Sequence, residues 1–429
     1  MTRGGGLLQL VATGKQDVFL TGNPQITWFK MVYRRYTNFA IESQMIPFDS
    51  QPDFGRKITC VIPKKGDLLG ALWIETTLPA IYDTSGNPLS YPNAAGHALI
   101  QEVSIEIGEQ EIDKQTGEWM EIWSNYTITK DKIDSWNLMI GKVTSDGYGD
   151  VPSTAVRLYG PLKLYIPLRF WFCKSPGLAL PLLALQYHAI RINITLRPLS
   201  QMFINDHPTV CPMDISAKPT SIQMMNLYGD YIHLDTEERR RFVANTHEYL
   251  IEQVNYTPSF PIDPTSTQVQ IPMEFNNPIR ELFWLIQRDL SVNARQWFNY
   301  TNITIGDTGI LLQNPISKAL LRIEGYDRFD ERDADYFRIV QPFQYHTAAP
   351  IDGYVYSYSF CLRPEEVQPS GSLNASRLNT MTLQLTFPDG STQYPSVTPP
   401  RGTSNARIYA LNHNILRIVD GFGGILFRV

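Results

Sequence analysis

The chain has 429 residues, 43% hydrophobic and 12% aromatic but only 18% charged, against about 25% charged in a typical soluble domain, which excludes a disordered, self-repelling chain. Lys and Arg number 37 and Asp and Glu 42, a net charge of -5, so there is no electrostatic footprint for gripping nucleic acid. One core rarely grows past roughly 250–300 residues, so two are expected, and 30 prolines with 28 glycines cut the apolar runs into short strands rather than long helices.

At the N-terminus, Arg3 and the run Leu7–Ala12 resemble a secretory signal, but the run is too short and carries Gln9, so export by that route is not expected. Period-two alternation marks strands at 103–107, 192–196, 354–358 and 381–387, each with one apolar face for a core. Trp119, Ile122, Trp123 and Tyr126 fall on one face of a helix. The charge-free stretch 175–190 is interrupted by Pro176, Gly177 and Pro181 and falls short of the ~20 residues that cross a bilayer. Pro208, Pro212 and Pro219 stiffen 206–219 into a linker,. Asp235 caps a short helix ending near Phe242, in which Arg239, Arg240 and Arg241 follow Glu237 and Glu238, a paired helix face rather than a phosphate patch. Turn-rich insertions at 79–96, 142–153 and 388–402 have the length of functional surface loops.

Clusters from the first half return in the same order in the second. Gly14 is matched by Gly229, Arg34-Arg35-Tyr36 by Arg240-Arg241-Phe242, and Phe39-Ala40-Ile41-Glu42 by Tyr249-Leu250-Ile251-Glu252 at an offset of 210. Trp73 is matched by Trp284 at 211, and Gly108, Ile112, Asp113 and Trp119 by Gly325, Phe329, Asp330 and Tyr336 at 217. Phe172-Cys173 and Arg191-Ile192 return as Phe360-Cys361 and Arg417-Ile418. Loop insertions between strands account for the drifting offset. The fold expected is all-β: two tandem eight-stranded jelly-roll sandwiches with a few short helices in loops. The domains are an N-terminal arm over 1–24, a first roll over 25–206, a linker over 207–220 and a second roll over 221–429. Trp73 and Trp284 are expected as equivalent core positions.

Chemical motifs are missing. No GxGxxG, GxxxxGK[ST], HExxH or GxSxG occurs, so nucleotide binding, zinc proteolysis and hydrolase chemistry lack their usual scaffolds. The seven histidines are scattered singly, and Cys60, Cys173, Cys211 and Cys361 show no CxxC, which fits buried thiols in a reducing compartment rather than a metal site or disulfide framework. Asp327, Asp330, Glu331, Asp333 and Asp335 form an acidic group without the spacing of a calcium loop and interleaved with Arg328 and Arg332,. It reads as an internally paired turn. No catalytic, cofactor or metal residue is therefore assigned. Six Asn-x-Ser/Thr sequons occur, at Asn125, Asn193, Asn255, Asn299, Asn302 and Asn374; Asn299 and Asn302, in a polar stretch between strands, are the glycosylation candidates.

The stretches 4–43, 170–192, 231–242, 341–350, 362–378 and 409–424 together resemble the major capsid proteins of nucleocytoplasmic large DNA viruses, chlorella-virus type, nearly end to end. Lys15 and the loops at 79–98 and 142–156 depart from that pattern. The resemblance implies a double jelly roll, a non-enzymatic shell subunit that forms homotrimers, and trimers that tile an icosahedral capsid of a large double-stranded DNA virus. It further implies minor capsid and penton proteins as partners, an arm facing internal membrane-associated proteins, no direct nucleic-acid binding, no cofactor, and assembly in the host cytoplasm. A carbohydrate-binding or carbohydrate-active β-sandwich is the competing function.

Overall fold

The computed structural model describes residues 5–25, 34–83, 86–143, 158–204, 221–302, 314–350, 353–388 and 403–427. The chain forms two compact units, Met1–Phe39 and Ala40–Val429. The first carries two short helices, α1 (Gly5–Val11) and α2 (Lys15–Thr21), whose side chains are all exposed. Asp17 anchors the start of α2 by accepting the Gly14 N–H at 2.8 Å.

The second unit is built on sixteen principal strands. Those of its first half are β1 (Phe39–Ile46), β2 (Lys57–Val61), β3 (Leu68–Leu78), β4 (Ile100–Ile107), β5 (Gln110–Thr116), β6 (Leu162–Pro167), β7 (Ile190–Leu196) and β8 (Met224–Leu234). Those of the second half are β9 (His247–Tyr256), β10 (Gln268–Pro272), β11 (Pro278–Arg288), β12 (Lys318–Ile323), β13 (Tyr326–Asp327), β14 (Tyr356–Ser359), β15 (Met381–Thr386) and β16 (Ser404–Val419). In the first half β1-β8-β3-β6 form one sheet and β2-β7-β4-β5 the other. The second half repeats that order eight strands later, as β9-β16-β11-β14 and β10-β15-β12-β13. The pairings between these strands that the structure resolves are antiparallel. Two sheets of four, with each fold-back strand returning beside the first, make a jelly roll; the chain is a double jelly roll.

Alternation explains the local choice. Along β3 every second residue from Leu72 to Leu78 is buried while Ala71, Trp73, Glu75 and Thr77 are half-buried on the other face, the pattern of a sheet covered on one side. β11 is buried almost throughout. Its Leu282, Trp284 and Ile286 enter the second roll's core, while Phe283 and Leu285 join the first roll's cluster. The second roll's sheet is thus covered on both faces.

The hairpins β4–β5 and β12–β13 correspond closely. Each turns on two residues with positive φ, Gly108 (57°) with Glu109 (71°), and Glu324 (51°) with Gly325 (80°), as the type I′ turn matched to strand twist requires. Helices follow at equivalent places: α3 (Gly117–Thr127) and then α4 (Lys130–Ile140) after β5, and a helical segment after β13 that runs from a wide turn, Tyr336–Val340, into α6 (Gln341–Tyr345). Between them in sequence, α5 (Thr236–Ala244) is the helix expected at Asp235, with Asp235 accepting the Thr236 N–H at 2.7 Å.

Three expectations differ from the structure. Residues 207–220, expected as the linker, lie outside the described residues, and β8, which follows them and was expected to open the second roll, pairs along β3 inside the first roll's sheet. Its Met225, Leu227 and Tyr231 complete the first core; prolines mark stiff chain and say nothing about which core comes next. Trp73 and Trp284 both lie on the third strand of their rolls, but Trp73 is not in a core. Gly14 lies in the arm and Gly229 in β8, and Arg191-Ile192 lies in β7 whereas Arg417-Ile418 lies in β16, so those two matches are not structural equivalents.

Candidate functional site: the seam between the rolls

The most elaborate cluster of functional groups among the described residues lies where α3 crosses from the first roll onto the second. Thr116 caps α3, its Oγ1 accepting the Trp119 N–H at 3.1 Å. The apolar stripe read from the sequence is all buried: Trp119, Ile122, Trp123 and Tyr126 are each at most 3% exposed. What covers it is the outer face of the second roll's sheet. Trp119 meets Phe283 edge-on at 5.4 Å and Tyr409 at 5.6 Å between ring centres, and Tyr126 meets Phe283 at 5.2 Å. Such pairs add roughly 0.5–1.5 kcal/mol each beyond their buried area. The Tyr126 hydroxyl donates to the Val355 carbonyl at 2.9 Å.

Charged groups surround these rings. Glu118, on the first turn of α3, accepts from Arg407 Nε at 2.7 Å, from the Tyr300 hydroxyl at 3.0 Å and from the Tyr409 hydroxyl. Nearby, Glu252 of β9 pairs with both Lys174 of the first roll and Arg280 of β11. Burial works against the Glu252 charge, but Lys174 and Arg280 outweigh it and hold the carboxyl below its usual range. Asp113 of β5 accepts the Val254 N–H at 3.1 Å across the seam, and burial pushes its carboxyl up to about 6. His346, beside α6, lies between Glu281 at 2.7 Å and Glu365 at 3.0 Å. Burial pulls its pKa down, yet Glu281 and then Glu365 overcome that and raise it to about 9.

These groups do not have the layout of a nucleophile with its base, and the cavity of about 660 Å³ beside Asp113, Lys114, Gln253 and Asn414 holds no such pair. Each polar group spans two elements, and most span the two rolls; buried networks of this kind favour one arrangement in a low-dielectric interior. The seam holds two rolls at a fixed relation. Sequence spacing could not reveal it, since Glu118 and Arg407 stand 289 positions apart. Only the α3 stripe was a sequence signal.

The glycosylation candidates behave differently. Asn299 is 2% exposed, its carbonyl accepting the Thr301 N–H at 3.0 Å and the Thr301 hydroxyl at 2.7 Å, so its amide is sealed inside the fold. Asn302 is half-buried, and the next residues of its sequon lie outside the described residues. The acidic group forms paired turns, with Arg322 on Asp327 at 2.8 Å, Arg338 on Asp335 at 2.7 Å and Lys318 on Glu331 at 3.7 Å. Among the described residues no group of His, Cys, Asp and Glu is arranged to hold a metal ion. Cys60, Cys173 and Cys361 are free thiols; Cys211 lies outside the described residues.

Comparison with known proteins identifies the family. Residues 27–235 match the family described as major capsid protein N-terminus, and residues 238–424 match large eukaryotic DNA virus major capsid protein. The major capsid protein of Phaeocystis pouchetii virus is 35% identical with 99% of each chain covered. The chain belongs to the major capsid proteins of large eukaryotic DNA viruses. The capsid protein of Paramecium bursaria Chlorella virus 1 is 36% identical, again over 99% of each chain. In a quasi-atomic model of the PBCV-1 virus capsid, the matching chain is 31% identical, superposes with a TM-score of 0.77 and covers 94% of this capsid protein and 100% of its own length. The Faustovirus major capsid protein shares the fold at 14% identity, with a TM-score of 0.73. This capsid protein is accordingly a structural subunit of the virion shell, and its relatives are capsid components rather than enzymes.

Proposed function

We propose that this capsid protein forms homotrimers whose six rolls present a pseudo-hexagonal outline, and that these trimers tile the icosahedral shell. The observation that carries this reading is that the principal strands repeat their sheet order from one roll to the next. Two like rolls in each of three chains give six like corners, so a threefold object can fill a sixfold lattice position. The seam supports the reading by fixing the two rolls as one rigid tile. The near-neutral charge lets identical copies pack side by side without strong repulsion.

Minor capsid and penton proteins would occupy the lattice edges and vertices. The exposed apolar side chains of α1 and α2, Leu7, Leu8, Leu10, Phe19 and Leu20, suit the arm to internal membrane-associated proteins. The partner set contains no nucleic acid. Assembly in the host cytoplasm and late synthesis accompany a shell subunit. The boundary between rolls belongs between β8 and α5, where the two family matches also part. Of the glycosylation candidates, Asn302 is favoured over Asn299, whose amide is sealed.

Light scattering on purified protein, with projection images of the same sample, tests the proposal. A particle of three times 48.9 kDa with a hexagonal outline is expected; a monomer at high concentration, or a dimer, refutes it.

A further inference from the structure

One contact occurs in this chain once made and once unmade. In the made copy, the α3 stripe Trp119, Ile122, Trp123 and Tyr126 is buried against the second roll's outer sheet face. There it covers Phe283 on β11 and Tyr409 on β16, which are directly opposed across those strands. Both halves of this contact recur elsewhere in the same chain.

The stripe recurs 217 residues later, as Tyr336, Ile339, Val340 and Phe343. It sits on the helical segment that follows β13 as α3 follows β5. In this place three of the four side chains are uncovered: Ile339 is 37% exposed, Val340 38% and Phe343 80%. The receiving pair recurs as Trp73 on β3 opposite Tyr228 on β8, the same two strands of the first roll. Those rings stack on each other at 6.0 Å and 14° on a face that also shows Ile41 at 55%, Met45 at 50% and Tyr165 at 36% exposure. The aromatic pair is half-buried and the helix stripe largely uncovered, so together they leave apolar surface that a docked partner would remove from water.

We infer that the outer face of the first roll's sheet, centred on Trp73 and Tyr228, receives the Tyr336–Tyr345 segment of a second copy of this chain, repeating between chains the contact α3 makes within one. The occupant follows from the interface already present: in the first roll this stripe is covered by the second roll's sheet, so the second roll's stripe takes the next first-roll sheet. The contact is head-to-tail, with different surfaces on its two sides, and such contacts generate closed rings when the rotation closes. The inference rests on the homotrimer reading and names the surface that reading needs.

Chains carrying Trp73→Cys and Phe343→Cys, co-expressed and treated with a short bismaleimide, test the placement. A cross-linked pair of chains is expected only in the mixture, with each variant alone controlling for the native thiols. Phe343→Asp, at an exposed position, should leave the folded monomer's circular dichroism unchanged and weaken trimer formation by about tenfold or more, the equivalent of 1.4 kcal/mol. Intact Phe343→Asp trimers together with a mixture that yields no cross-link overturn the docking surface while the trimer stands. A wild-type chain that stays monomeric overturns the trimer reading itself. Should Phe343→Asp fail to fold, the cross-link alone decides.

Discussion

Trp73 and Trp284 lie on the same strand of their respective rolls and face opposite ways. Trp284 is 2% exposed in the second core, against Phe337 and Tyr356, whereas Trp73 stacks on Tyr228 outside the first. The matched tryptophans are offset by 211 while the strands that carry them, Leu68–Leu78 and Pro278–Arg288, are offset by 210, and a slip of one residue sends a strand side chain to the other face. Leu72 and Ile74 are the core residues next to Trp73. Trp284→Ala should therefore cost about 3–5 kcal/mol, and Trp73→Ala no more than about 1 kcal/mol in the monomer. Urea unfolding of both variants checks the pair; equal losses would place Trp73 in a core after all.

The two glycines of the type I′ turns separate backbone from packing. Nothing lies within 4 Å of a Cβ built on Gly325, whereas one built on Gly108 would sit 2.3 Å from the His188 ring, which the Gly423 backbone holds at 2.9 Å. Gly325→Ala should lose only the left-handed backbone penalty, about 1–2 kcal/mol. Gly108→Ala should lose clearly more, because the ring must also leave its partner. Thermal unfolding of the two single variants reads the difference directly.

What the sequence made legible was local. Period-two alternation at 103–107 and 192–196 marked β4 and β7, the α3 stripe marked its buried face, and Asp235 marked the start of α5, because each signal lies within a few residues of its consequence. The all-β double roll followed from the repeats at Phe39, Gly108 and Trp119, which fall in equivalent strands, turns and helices. Membership of β8 was not legible: its alternating residues fit either core, and only pairing with β3 assigns them. The seam was hidden for a similar reason, since Glu118, Tyr300 and Arg407 meet only after both rolls have folded.

Glu118 concentrates the seam's polar cost in one side chain. Removing it leaves the Arg407 guanidinium, which also donates to Gln287 at 2.6 Å, without its carboxylate in a largely buried place. Breaking a buried pair from one side typically costs about 3–5 kcal/mol, and Glu118→Ala should fall in that range. The double variant Glu118→Ala with Arg407→Ala should lose less than the two single losses added together, since residues in one network couple by about 0.5–3 kcal/mol. A double-mutant cycle by denaturant unfolding measures this; strict additivity would mean the pair contributes nothing across the seam.

His346 and His413 should limit stability at opposite ends of the pH range. His346, between Glu281 and Glu365, has its pKa raised from 6.5 to about 9, so its contribution is complete below pH 6.5 and disappears as pH rises through 9. With the ring fully buried, that shift corresponds to about 3 kcal/mol. His413, on β16, has its pKa lowered from 6.5 to about 4 by burial and then by the Arg280 charge. Its contribution is complete above pH 6.5 and disappears as pH falls through 4, because the folded state resists the proton that the unfolded chain accepts. His346→Gln should flatten the alkaline limb of a stability profile between pH 7 and 10 and leave the acid limb alone. His413→Gln should flatten the profile between pH 6.5 and 4 only. Melting temperatures of the three proteins across pH 3–10 check both signs, and an alkaline limb unchanged in His346→Gln would show that the imidazole is not charged between its two carboxylates.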